Sequence, residues 1–270
     1  MSKNIKNLSL ENNISKDYFQ TASYLKDKIR LNKIIKSIFN NLDIKKDSFH
    51  ILSKKFTINL NKSDLNKFKK YKNIVIIGMG GSTLGVKSIY FFLKEKISKN
   101  FIFLDNLDQS KIEQMKKRKI LNNSFFIIIS KSGNTIETLI NTNLLKNKIS
   151  FKNTVIITEQ KNNLLNTFAT NKKILQIEHK DYIGGRYSVL SEVGMVPAYF
   201  MGLKVEKIRK NLLSFFNPKQ NLILVDSIVK LAHIHNSKKI KSVIFLNYVP
   251  QLNEFLYWCQ QLIAESLGKK

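Results

Sequence analysis

The sequence predicts an α/β fold, a parallel sheet flanked by helices, on three observations. Apolar runs of strand length at residues 73–77, 101–104, 125–129 and 154–158 alternate with segments of helical length. Their hydrophobicity is continuous rather than alternating, the mark of strands buried on both faces. Small-residue turns at 78–82 and 130–135 follow two of these runs. Both would stand at the carboxyl ends of strands, where open parallel sheets bind their ligands.

In chain order, residues 1–14 are polar, and Ser15 offers an N-cap for a helical stripe through Tyr18, Ala22, Leu25, Ile29, Ile35, Ile38 and Leu42. An N-terminal helical arm and connection is therefore expected over 1–62. A first sheet domain is expected over 63–210, with a short helix at 64–70, helices at 86–94 and 109–119, and a fifth strand at 174–177. Residues 204–210 read as a basic linker and Pro218 as a boundary. From 211 to 270 a second α/β unit begins, with helices at 221–237 and 252–266 around one strand, 242–246. That unit is expected to be incomplete, leaving the last helix little sheet to pack on and Glu265 away from any fixed geometry.

Composition narrows the function classes. A chain of 270 residues with 43% hydrophobic content can bury a sizeable core. A lone cysteine, Cys259, excludes an internal disulfide framework and fits a reducing cytoplasm. No secretory pattern opens the chain, and no run of 18 apolar residues points to a membrane. The net charge of +27 raises nucleic acid as a partner, yet only four of the 46 basic residues are arginine. Lys, Asn and Ile share A/T-rich codons, so the charge reads as compositional drift. Specific nucleic-acid binding, which favours the planar guanidinium, is not expected.

The turn at 130–135 sets Ser130, Lys131, Ser132 and Thr135 at a helix start, where hydroxyls and backbone N–H groups suit a phosphate monoester. An ordinary capped turn is the alternative, and the spacing is not that of a Walker loop. Gly78, Gly80 and Gly81 let a backbone approach a ligand closely, with Ser82 adding a hydroxyl, but they do not form a Gly-x-Gly-x-x-Gly pattern. Arg186 follows two glycines in a chain that otherwise defaults to lysine, so a guanidinium is needed there. The four histidines and Cys259 make no metal-ligand spacing, so neither metal nor cofactor is expected.

Together, residues 181–194 (Asp-Tyr-Ile-Gly-Gly-Arg-Tyr-Ser-Val-Leu-Ser-Glu-Val-Gly) resemble the Gly-Gly-Arg-Tyr/Phe-Ser motif of phosphoglucose isomerases. Glu192 departs from the pattern, which has a small residue there. The turns at 78–82 and 130–135 resemble the family's glycine and phosphate loops, and 260–269 resembles its Gln-x-x-x-Glu-Ser-x-Gly-Lys segment. The resemblance implies sugar-isomerase (SIS) domains of Rossmann-like form and interconversion of glucose 6-phosphate and fructose 6-phosphate. It implies Glu265 as base and Arg186 as stabiliser of the enediolate. Gly81, Ser82, Ser130, Lys131, Ser132, Thr135 and Gln261 would hold the sugar and phosphate. A homodimer is implied for the full-length form. The family's later histidine and lysine have no counterpart in this sequence, so a non-catalytic sugar-phosphate-binding module, or an inactive fragment of the isomerase, is the competing reading.

Overall fold

A computed structural model describes residues 13–210, 212–213, 222–237 and 242–268. The polar residues 1–12, Pro218 and Lys269 lie outside them. The helices are α1 (Ala22–Asn41), α2 (Lys62–Asn66), α3 (Leu84–Phe92), α4 (Gln109–Lys117), α5 (Ile136–Leu144), α6 (Leu164–Asn171), α7 (Glu192–Phe200), α8 (Val205–Arg209), α9 (Leu222–Asn236) and α10 (Asn253–Leu267). The strands are β1 (Asn73–Ile77), β2 (Asn100–Leu104), β3 (Ser124–Ile129), β4 (Thr154–Thr158) and β5 (Leu175–Glu178). The described residues fall into two units. One runs up to Phe56 and resumes from Arg209 to Leu246; the other takes Thr57–Ile208 and the residues from Asn247 on.

In the larger unit all five strands are parallel, in the order β2-β1-β3-β4-β5. Every residue of central β3 is buried, which explains its unbroken apolar run. Alternate side chains serve opposite faces, since the strand period is two. Ile74, Ile76, Phe125 and Ile127 pack with Phe68, Val86, Tyr90, Val196 and Phe200 from α2, α3, α7 and their flanks. On the other face Val75, Ile77, Phe126 and Ile128 meet Ile112, Met115, Leu145, Leu165 and Ala169. Strand order reverses between β1 and β3, and this switch point is where such a sheet opens a crevice.

The smaller unit pairs α1 with α9. Thr21 caps α1 by accepting from the Tyr24 N–H at 3.1 Å, while Ser15 caps only a short 3-10 turn over Lys16–Phe19. The predicted helix thus starts nearly two turns later, at Ala22 rather than after Ser15. His233 Nδ1 lies 2.6 Å from Asp27 Oδ2, and Lys230 pairs with Asp226 at 2.6 Å. Leu25 and Ile29 of the predicted stripe are exposed.

Three local expectations need correction. Residues 242–246 form no strand; Val243, Ile244 and Leu246 are exposed, because no other described strand lies beside them. Residues 205–209 are a short helix rather than linker. The last helix does find a partner: Ser88 Oγ of α3 donates to the Glu254 carbonyl at 2.9 Å, and α10 packs along α3. Glu265 is therefore held in place rather than adrift.

His179, just past β5, is 2% exposed. Burial pushes its pKa below the ordinary 6.5, although the nearby Lys180 carbonyl, 3.1 Å from Nδ1, works the other way. Between the depressed value and 6.5 the folded chain binds less proton at this imidazole than the unfolded chain does. The stability it contributes is complete above pH 6.5 and is lost as pH falls toward the depressed value. Urea midpoints recorded from pH 7.5 down to 5 should fall, and less steeply in His179→Gln. An unchanged slope in the variant would remove His179 as the source.

Candidate active site

Three turns and one helix converge beside the β1–β3 switch point. Gly78 follows β1, its N–H bonded to the Leu104 carbonyl at 3.2 Å. A Cβ on Gly78 would come within 2.7 Å of the Ile129 carbonyl oxygen, so glycine lets the chain pass the end of β3. Gly80 has φ +51°, and Gln261 Nε2 stands 3.0 Å from where its Cβ would be. A Cβ on Gly81 would lie 2.4 Å from the Gly185 carbonyl carbon and 2.6 Å from Arg186 N. Two glycine backbones thus press together, and their contact seats Arg186 beside the first turn. Half-buried Ser82 ends that turn.

Arg186 donates through Nε to Ser266 Oγ at 3.1 Å and through Nη1 to Glu265 Oε2 at 3.3 Å. The other Glu265 oxygen accepts from Gln261 Nε2 at 2.7 Å, as spacing by four on one helix face requires. Tyr187 and Ser266 hydroxyls lie 2.9 Å apart, and Trp258 Nε1 donates to the Arg186 carbonyl at 3.0 Å. The Tyr187 hydroxyl foremost, with Glu265 adding to it and burial opposing, holds the guanidinium above its ordinary pKa. The result is a fixed cation touching a carboxylate that an amide also steadies.

A groove of about 450 Å³ opens along α10, lined by Leu84, Lys87, Glu254, Gln261 and Glu265 among others. Lys87 bonds Asp105 Oδ2 at 2.9 Å and lies 3.3 Å from Glu254 Oε2. Burial works against its charge, but the Asp105 and Glu254 carboxylates more than offset that and raise its pKa.

The turn at 130–135 sits at the end of β3. Ser130 and Thr135 hydroxyls are 2.8 Å apart, and Ser130 Oγ accepts from the Gly133 N–H at 3.2 Å. Ser132 is exposed and its hydroxyl accepts from the Asn134 N–H. Lys131 donates to the Asp181 carbonyl at 2.7 Å, linking this turn to the segment that carries Arg186. The structure therefore links Gly81, Arg186, Glu265 and Gln261 in one chain of contacts, Gly81 against Arg186, Arg186 against Glu265 and Glu265 against Gln261. Ser130, Ser132 and Thr135 form a separate cradle, joined to that group through Lys131. Among the described residues no group of His, Cys, Asp and Glu could hold a metal, and no helix is long and apolar enough to cross a membrane.

The family model described as phosphoglucose isomerase matches residues 30–270. The chain belongs to the phosphoglucose isomerase family. It is 36% identical over 218 residues to glucose-6-phosphate isomerase of Methanocaldococcus jannaschii, covering 76% of this chain and 54% of that protein. The glucose-6-phosphate isomerase of Campylobacter jejuni is 35% identical over 215 residues, covering 75% of this chain and 52% of its own length. The chain thus spans about half the length of these relatives. In fold it is similar to the crystal structure of a glucose-6-phosphate isomerase from Chlamydia trachomatis, with TM-score 0.63, 22% identity, and coverage of 98% of this chain and 47% of that one. A hypothetical protein from Thermus thermophilus matches with TM-score 0.71 at 22% identity over 92% of this chain and 62% of that one.

For this member of the phosphoglucose isomerase family, sequence reading missed Lys87, Tyr187, Trp258 and Ser266 as site neighbours. Tyr187 and Ser266 were visible inside the motifs. Nothing in so lysine-rich a sequence could single out Lys87. Asp105, just past β2, has that lysine as its partner.

Proposed function

We propose that the chain binds a sugar phosphate and serves the interconversion of glucose 6-phosphate and fructose 6-phosphate. The observation that carries this reading is the Glu265–Arg186 contact, steadied by Gln261 and seated on the Gly81 turn. Aldose–ketose exchange moves a proton between adjacent carbons through an enediol. Glu265 takes and returns that proton. Charge gathers on the enediolate oxygen as it forms, and Arg186, already held in place, stabilises it more than it does the substrate. Gln261 fixes the Glu265 carboxylate. Gly81 and Ser82 face the sugar, while Ser130, Lys131, Ser132 and Thr135 take the phosphate at the start of α5. The names of the relatives and the matched family support the same substrate class.

Titration with 6-phosphogluconate should saturate the wild-type chain, and the Ser132→Ala, Thr135→Ala variant should bind more weakly. Each charge-assisted hydrogen bond lost is worth about 1.5–3 kcal/mol. Superimposable curves would remove the phosphate assignment. A coupled assay for fructose 6-phosphate, run beside Glu265→Gln, separates catalysis from binding. Saturable binding with no turnover would leave a sugar-phosphate-binding module.

A further inference from the structure

We propose that Lys180 and Glu192 form a buried charged staple that sets the position of Arg186. The two stand twelve positions apart, with Arg186 midway between them. The Glu192 side chain is 0% exposed and that of Lys180 13%. One carboxylate oxygen of Glu192 accepts from Lys180 Nζ and from the Asn59 N–H, the latter at 2.9 Å; the other has no hydrogen-bond partner among the described residues. A carboxylate so buried keeps its charge only against a paired cation, so Lys180 is bound to this place.

The pair closes the base of the segment whose apex reaches Glu265. Between its ends the segment is fastened by buried Ile183, by Ser188 Oγ donating to the Gly185 carbonyl at 2.7 Å, and by the Trp258 contact at Arg186. Ser191 caps α7 by accepting from the Val193 N–H at 3.3 Å, so Glu192 enters a rigid helix at once. With one end of the segment fixed to α7 and the other drawn to it by charge, the span available to residues 181–191 is set. Lys180 and Glu192 act through the segment that carries Arg186; they are positioning residues. The ligand side of this proposal rests on the function proposed above, but its geometry does not.

Trp258 supplies the readout. It is the sole tryptophan, and its indole N–H is bonded to the Arg186 carbonyl. In the full chain, the variant Lys180→Met, Glu192→Gln keeps an amide oxygen for the Asn59 N–H and leaves no buried charge unpaired. Circular dichroism should show it folded, its Trp258 emission maximum should move, and its affinity for 6-phosphogluconate should fall about 10–10²-fold, the loss of one hydrogen bond to a charged group. Lys180→Arg, which keeps the cation, should retain wild-type emission and affinity. Glu192→Gln alone gives the same emission reading should the double variant not fold. Wild-type emission from either folded variant overturns the proposal. A shifted emission in the variant, with a wild-type chain that binds no 6-phosphogluconate, would sustain the staple and strike the sugar-phosphate reading instead.

Discussion

Gly81→Ala should weaken sugar-phosphate binding by about 10–10²-fold, the loss of one hydrogen bond to a charged group, while the sheet stays folded. The added methyl would stand 2.4 Å from the Gly185 carbonyl carbon, 2.5 Å from its oxygen and 2.6 Å from Arg186 N. All three are backbone atoms, and no rotamer change moves them aside. Either the turn after β1 or the Gly-Gly-Arg segment must retreat, and in both cases Arg186 leaves its present distance from Glu265. The clash lies outside the sheet, so the cooperative urea transition should persist. Isothermal titration with 6-phosphogluconate measures the loss, and an affinity within twofold of wild type would show that this contact does not seat the guanidinium.

Gly133→Ala should cost about 2–4 kcal/mol of stability, through the turn after β3 and the cap that it displaces. Gly133 has φ +68°, a left-handed conformation that costs an alanine about 1–2 kcal/mol. Its Cβ would also fall 2.0 Å from Asn163 Oδ1 and 2.2 Å from Cγ, so the whole Asn163 amide must move. That amide is buried and caps α6 through Asn166 N at 2.9 Å. Losing such a cap adds about 1–2 kcal/mol. The measurement is the urea midpoint and slope. A change under 1 kcal/mol would mean that Asn163 yields freely and the turn is softer than its hydrogen bonds indicate.

Legibility followed the range of the interactions. The central strands β1, β3 and β4 were readable, because burial on both faces leaves an apolar run that needs no knowledge of neighbours; edge strand β5, with Gln176 exposed, gave only a short apolar trace. The two turns and the Gly-Gly-Arg segment were readable as well, since glycine spacing and a rare arginine are local signals. The run at 242–246 has the same apolar composition as the true strands, yet it forms no strand and is exposed. A strand exists only through its partner, which composition cannot disclose. For the same reason the docking of α10 on α3 was not foreseen: the Ser88–Glu254 hydrogen bond spans 166 positions. The roles of Lys180 and Glu192 were hidden too, because pairing across a loop leaves no periodic trace.

The placement of α10 also dictates an order of assembly. The five-stranded sheet is complete once Glu178 has been made, and both of its helical layers are supplied before residue 201. Synthesis proceeds from the N-terminus at about 5–20 residues per second, and earlier parts fold as they emerge. The Gly81 and Arg186 turns can therefore meet on a finished scaffold while the segment bearing Gln261 and Glu265 has yet to be translated. The nascent chain thus passes through a stage in which the sheet and both turns are in place and Gln261 and Glu265 are absent, and α10 is the last described element to join them.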